Sequence, residues 1–315
     1  MRVISVYNKK GGTGKTSLAT MLASALAMLG YKVGLVDGDD QANSSGLTRP
    51  HRYTKPTLTN VICDDIPLIK AMYQARHNLW IVPADMHLNR AVERIHANSE
   101  LHLLSEHVET LRASLDPTSP NHTFPWWSTP VISIRDFKIE RTTVEEFRTP
   151  PTHLDFLIYD NPPNPNALTW AMLYSCGELL VPVELEEYAF QGLALMVEDV
   201  GRRFRSQRQT IKVSGIVPFN VNHQRGMTVD YLASIWRARP HDVTLSVHTD
   251  AAVPASQGNQ ETIYETSRSS RAAKEVFALA LQLVGYAGKL AGLDDCAKCA
   301  AARVLAAQAV PTNEG

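Results

Sequence analysis

The sequence predicts an α/β fold: a mostly parallel, twisted sheet with helices on both faces, forming one domain that carries an insertion. Three observations predict it. Short apolar runs alternate with helical patterns along most of the 315 residues, the order that builds parallel sheets from strand–helix–strand units. Two of these runs, 33–36 and 156–159, end in an aspartate, at the strand end where open α/β sheets bind ligands. A third run, 3–6, passes through a glycine- and lysine-rich turn directly into a helix.

That turn reads Tyr7-Asn8-Lys9-Lys10-Gly11-Gly12-Thr13-Gly14-Lys15-Thr16-Ser17. Glycines let backbone N–H groups close around phosphate oxygens, and the start of the helix adds positive potential. In such a loop Lys15 reaches the β- and γ-phosphates, and the Thr16 hydroxyl binds Mg²⁺. The ordinary P-loop string wants a glycine five places before Gly14, where this chain has Lys9. The segment fits K-G-G-x-G-K-[TS] instead, which places a second lysine, Lys10, at its head.

Composition narrows the classes. With 44% hydrophobic and 20% charged residues, the chain reads as an ordinary soluble globular protein. A net charge of −1 gives no global nucleic-acid signature, so any DNA binding must rest on a local patch. No apolar run is long enough to span a bilayer. The first strand begins at once, so neither a signal peptide nor an N-terminal DNA-reading module is expected. Four cysteines, Cys63, Cys176, Cys296 and Cys299, suit a reduced cytoplasmic protein better than a disulfide framework.

The elements follow in order. Residues 16–29 carry apolar side chains on more than one face, which predicts a buried helix capped by Gly30. A strand at 32–36 runs into Asp37-Gly38-Asp39-Asp40-Gln41-Ala42-Asn43. Residues 79–84 read as a third strand. Positions 87–114 read as helix, with Leu88, Ala91, Val92, Ile95, Leu101, Leu104, Val108 and Leu111 spaced mostly three and four apart. From 115 to 151, six prolines break the pattern and Trp126 and Trp127 sit near the middle. Two short strands, 131–134 and 137–140, are expected there. This insertion reads either as a loop folded over the sheet edge or, through its paired tryptophans, as a partner-docking site. Strands at 155–160, 178–183 and 211–220 complete the core. A helix at 228–237, a short strand at 243–247 and a final helix around 272–280 close it. The main domain is 1–286, and 287–315 reads as an Ala-rich helix with a polar tail. Cys296 and Cys299 read as two cysteines three apart on one helix face rather than as a metal site, which would need four ligands where no second pair lies nearby.

In this order the segments resemble the ParA/MinD family of P-loop ATPases, and within it the ParA/Soj partition members. The resemblance is carried by the loop headed by Lys10 and by Asp37, Asp39, Gln41, Ala42 and Asn43, which match D-x-D-P-Q-[AG]-N with Asp40 in place of proline. It continues at 155–163, similar to I-I-D-x-P-P, and at 178–183, similar to A-D-x-V-L-V-P-V.

The resemblance implies a P-loop NTPase fold, ATP and Mg²⁺ as cofactors, and weak basal ATP hydrolysis. It implies catalytic roles for Lys10, Lys15 and Asp39: Lys15 on the phosphates, Asp39 orienting the attacking water, and Lys10 reaching into a second subunit's site. Gly11, Gly12, Thr13, Gly14, Lys15, Thr16, Ser17 and Asp37 would hold the nucleotide. Thr16 and, through water, Asp160 would hold the metal. Asn220 is the candidate adenine contact, with Asn222 as its rival. A homodimer closed over ATP is expected to bind DNA of any sequence, through Arg202, Arg203 and Arg205 or through Arg268, Arg271 and Lys274. It would act with a ParB-like partner or cargo adaptor in the cytoplasm, on the nucleoid. Two other branches stay open. One is a MinD-like ATPase that binds membrane through a C-terminal amphipathic helix, although Lys298, Arg303, Val304, Leu305 and Val310 make a poor anchor. The other is a reductase similar to nitrogenase iron protein, although Cys63 and Cys176 sit in no recognisable cluster-ligand segment.

Overall fold

The computed structural model describes residues 1–48, 56–116, 124–143, 145–186, 189–222, 228–239, 242 and 244–293. The readings made for 294–315, Cys296 and Cys299 included, lie outside the described residues.

Strands and helices alternate from the start. Strand β1 (Arg2–Val6) leads to α1 (Lys15–Met28), β2 (Val33–Asp37), α2 (Leu58–Cys63), β3 (Tyr73–Arg76) and β4 (Leu79–Val82). Helices α3 (Leu88–Asn98) and α4 (Leu103–Ser114) and the short β5 (Val131–Ile132) precede β6 (Phe156–Asp160). Then come α5 (Ala167–Ser175), β7 (Glu178–Val183), α6 (Ala189–Ser206) and β8 (Lys212–Pro218). The described chain closes with α7 (Thr228–Ala238), α8 (Ala252–Asn259), α9 (Ile263–Thr266), α10 (Arg271–Leu283) and β9 (Lys289–Leu290).

Seven strands form one sheet in the order β3-β4-β2-β6-β1-β7-β8. Neighbours run parallel except β3, which returns antiparallel to β4 at the edge. The central strands are buried almost throughout, as strands covered on both faces must be. On one face α1 is apolar nearly all round because it is sandwiched between the sheet and α10, with Leu22 and Leu26 beside Val276 and Leu279 in one core. On the other face α2, α3, α4 and α5 bury Ile62, Ile95, Leu104 and Met172 against Leu157 and Tyr159. Toward β8, α6 and α7 bury Met196, Phe204 and Leu232 against Val181 and Ile216.

Several boundaries differ from the sequence reading. The helix expected at 87–114 is two helices, because Ser99 takes a left-handed conformation (φ 56°) that ends α3. Strand β3 was not anticipated, since its Gln74 and Arg76 break any apolar run. Among the described residues of the insertion, only Val131–Ile132 is strand. Phe137 instead turns inward against Phe277, and Glu140 O accepts from His77 N at 2.8 Å along the sheet edge. Of the strand expected at 243–247, the described residues 244–247 are not strand but run beside β8, with Thr244 N donating to Ile216 O and Val247 N to Pro218 O. Residues 287–293 are not helix: β9 pairs in parallel with β5, tying the chain after α10 to the insertion. Trp126 stacks on Phe124 at 5.4 Å and meets Phe137 and Tyr286 edge-on, so it anchors the insertion onto α10. Its neighbour Trp127 is 40% exposed.

Candidate functional site

Val6, Asp160 and Asp37 stand level in register at the C-terminal ends of β1, β6 and β2. The chain leaves β1 for the β2 side and leaves β6 for the β7 side. The crevice between them is therefore the topological switch point, where open α/β sheets bind ligands. A cleft of about 360 Å³ opens there, lined by Gly12, Gly14, Lys15, Thr16, Ser17, Asp39, Asn43, Pro163 and Gln257.

The turn after β1 forms the floor of this cleft. Asn8 Nδ2 ties it to Pro182 O at 2.8 Å, and Lys10 N donates to Asn8 Oδ1 at 3.0 Å. Gly14 is left-handed (φ 83°) and opens α1. A Cβ at Gly14 would lie 2.3 Å from Phe219 Cδ1, so both the conformation and the packing require glycine. Lys15 is buried and donates to Lys10 O at 2.8 Å. Burial lowers its pKa, while the Asp160 and Asp39 carboxylates pull it back up. Thr13 is buried, and its hydroxyl donates to Lys10 O at 3.3 Å. Ser17 Oγ accepts from Gln257 Nε2 at 3.0 Å, which closes the cleft on the α8 side.

Beneath the cleft lie two fully buried carboxyls. Asp160 accepts from Thr16 Oγ1 at 3.3 Å and from the Ser44 hydroxyl. Asp37 accepts from Ser45 N and Ser45 Oγ, both at 2.7 Å, and from Asp39 N at 3.2 Å. Burial is the main cause that raises both pKa values, and repulsion between neighbouring carboxylates adds to it. Asp39 is half-buried on the rim, and its pKa is raised chiefly by burial. It also borders a second hollow of about 340 Å³ with Asp40, Gln41, Asn89 and Asn166.

Among the described residues no three His, Cys, Asp or Glu side chains are placed to hold a metal by themselves. The donors present are hard oxygens, Thr16 and Asp160, beside a phosphate-type loop. That set fits Mg²⁺, which takes few protein ligands and completes its shell with water and phosphate. Two buried carboxyls beneath the loop, Asp37 and Asp160, agree with the same assignment.

The structure brings together Gly12, Gly14, Lys15, Thr16, Ser17 and Asp39 around the cleft, with Asp37 and Asp160 under it. Lys10 and Gly11 are not in its lining, and Lys10 Nζ ion-pairs with Glu186. Asn220 and Asn222 are not in its lining. Asn220 is left-handed (φ 58°), and its carbonyl accepts from Thr249 Oγ1. Ser44, Ser45 and Gln257 were missed. The serines follow the Asp37–Asn43 motif directly, and a buried carboxyl needs a hydroxyl or amide partner, which was the available signal.

The two basic groups differ. Arg202, Arg203 and Arg205 are exposed on α6. Arg202 pairs with Glu198 at 3.1 Å, while Arg203 lies over the Trp170 ring at 4.2 Å and near Asp199. Arg268 donates to Phe137 O at 2.9 Å, Arg271 pairs with Glu275 at 2.9 Å, and Lys274 donates to Gly292 O at 3.2 Å. The second group thus pins the insertion and the chain after α10. Cys176 is buried, donates to Leu173 O, and has its thiol pushed up to about 12 by burial, which suits a core residue rather than a cluster ligand.

The family model described as AAA domain matches residues 1–118 and 135–213, more than half of the chain. The chain belongs to this family, that of the ParA/MinD P-loop ATPases. The stretch that the model passes over, 119–134, lies within the segment read as an insertion. Chromosome partitioning protein ParA of Caulobacter vibrioides is 27% identical over 69% of this chain and 68% of its own length. Sporulation initiation inhibitor protein Soj of Bacillus subtilis is 26% identical over 69% of this chain and 71% of its own. Among solved structures, apo McdA of Cyanothece superposes with a TM-score of 0.69 at 19% identity, covering 90% of this chain and all of McdA. MinD of Pyrococcus horikoshii with Mg-ADP gives 0.62 at 18% identity, covering 91% and 97%. The ParA/MinD fold is therefore the fold of this chain.

Proposed function

We propose that this chain is a Mg²⁺-dependent ATPase that dimerises on ATP and in that state binds duplex DNA of any sequence. With a ParB-like partner or cargo adaptor that stimulates hydrolysis, it moves DNA or a cytoplasmic cargo on the nucleoid. The observation that carries this reading is the convergence of Lys15, Thr16 and Asp39 on one cleft above Asp160 and Asp37. Lys15 and the backbone of 11–16 would hold the phosphates, and Thr16 and, through water, Asp160 would hold Mg²⁺, which would neutralise phosphate charge. Asp39, on the rim, accepts a hydrogen bond from the attacking water and orients it. Phosphoryl transfer depends on such positioning and charge more than on covalent chemistry. Lys10 pairs with Glu186 and is not in the lining of its own cleft, which suits a lysine that serves a second subunit. The curated relatives named for chromosome partitioning support the cargo class. Among the described residues no helix is long and apolar enough to cross a membrane.

Arg202, Arg203 and Arg205 are the stronger DNA candidates, because all three are exposed on one helix, whereas Arg268 and Lys274 hold main-chain carbonyls of other segments. The test is a DNA titration with ATP, with ADP and with Lys15→Ala, across several salt concentrations, beside liposome co-sedimentation. Binding should need ATP and fall steeply with salt, as counterion release requires. ATP-dependent binding to anionic liposomes with none to DNA would overturn it.

A further inference from the structure

Strand β3 carries a bulge. Gln74 pairs with Trp80 and Arg76 with Leu79, which leaves Ala75 as an extra residue. A bulge re-aims the side chains beside it, and here Arg76 is turned inward until only 2% of it is exposed. Its Nη1 donates to Leu47 O and Ala75 O at 2.7 Å each, and its Nε to Glu265 Oε1 at 3.0 Å. Glu265 is itself held by Thr262 N at 2.8 Å and by Arg141 Nε at 2.9 Å. Arg141, from the segment that borders β3, also ion-pairs with Glu261. Leu47 belongs to the 3-10 turn Ser44–Thr48, whose first two residues bind Asp160 and Asp37.

Burying an arginine–glutamate pair is poor value for stability alone, since packed apolar residues of similar volume often do as well. What this pair supplies is position, because its hydrogen bonds fix one main-chain carbonyl of the turn. We propose that Arg76 is a positioning residue for the metal site. Together with Glu265 it sets the turn so that Ser44 and Ser45 hold Asp160 and Asp37 ready for Mg²⁺. Arg141 extends this support to the insertion, in which it lies. The inference rests on the reading of the cleft as a Mg²⁺–nucleotide site.

The test is the binding of a fluorescent ADP to the full chain over a series of Mg²⁺ concentrations, for wild type, Arg76→Met, Glu265→Gln and Arg76→Lys. Arg76→Met should raise the Mg²⁺ concentration for half-maximal binding about tenfold, the usual size of an outer-shell effect. ADP affinity in chelator should stay unchanged. Glu265→Gln should move the midpoint in the same direction, and Arg76→Lys, which can still reach Leu47 O and Glu265, should restore it. A merely structural role would lower the melting temperature and the active fraction without moving the Mg²⁺ midpoint. A wild-type midpoint in folded Arg76→Met overturns the inference, and if that variant does not fold, a wild-type midpoint in Glu265→Gln does so. Wild-type protein that binds no nucleotide at any Mg²⁺ concentration would instead sink the reading of the cleft, and this inference with it.

Discussion

Replacing Gly14 by alanine should damage the phosphate loop by two separable routes. The first is conformational: at φ 83° an L-residue carries a penalty of about 1–2 kcal/mol. The second is steric. The new methyl would stand 2.3 Å from Phe219 Cδ1 and 2.5 Å from Cε1, and Phe219 is only 5% exposed, so its ring has little room to retreat. Overpacking of this kind costs about 1–3 kcal/mol. The sum, roughly 2–5 kcal/mol, corresponds to a Tm drop on the order of 10 °C for a domain of this size. Thermal unfolding followed by circular dichroism measures it. The two routes separate in a double-mutant cycle with Phe219→Ala, which is itself destabilising by about 3–5 kcal/mol. In that background the ring is gone, and Gly14→Ala should cost only its conformational share. Additivity of the two substitutions within about 0.5 kcal/mol would refute the packing argument. A Gly14→Ala protein as stable as wild type would refute both parts.

Other outcomes follow from the same geometry. Asp39→Ala should bind ATP and form a persistent dimer on sizing chromatography while failing to hydrolyse; wild-type turnover would move the catalytic role elsewhere. Changing Arg202, Arg203 and Arg205 to glutamate should weaken binding about equally on all DNA sequences and flatten the salt dependence in a filter titration. Arg268→Glu should act first on stability, through the lost bond to Phe137 O, and a melting curve equal to wild type would count against that assignment. For pH, burial alone would raise Glu265, but Arg76 and Arg141 outweigh it and hold its carboxyl below the ordinary 4.5. A depressed carboxylate contributes stability that is full above that value and lost as pH falls through the lower, folded one. Acid titration of the unfolding free energy should therefore show a shallower loss below pH 4.5 in Glu265→Gln than in wild type, and parallel curves would contradict it.

The central strands and the loop were legible because their signals are local. An apolar run ending in an aspartate, or glycines ahead of a lysine at a helix start, needs no partner to be read. Asp37, Asp160, Lys15 and Thr16, each picked out by such a local signal, lie together in the structure. What was not legible depends on contacts between distant segments. Strand β3 exists by pairing with β4 and carries polar residues whose partners lie in the Ser44–Thr48 turn and in α9. Trp126 reads as a docking residue until Phe124, Phe137 and Tyr286 are seen around it. The Arg268 group reads as a basic patch until its acceptors appear, and those of Arg268 and Lys274 are backbone carbonyls, which no residue pattern advertises. The break at Ser99 falls in the long step from Ile95 to Leu101, so there the apolar spacing did carry a sign that the reading passed over.

The central claim is that this cleft binds Mg-ATP through Lys15. Calorimetric titration of Mg-ATP into wild-type protein and into Lys15→Ala tests it most directly, because Lys15 is the buried cation at the floor of the cleft. Saturable binding to wild type and none to Lys15→Ala is the predicted result. Tight binding retained by Lys15→Ala would contradict it.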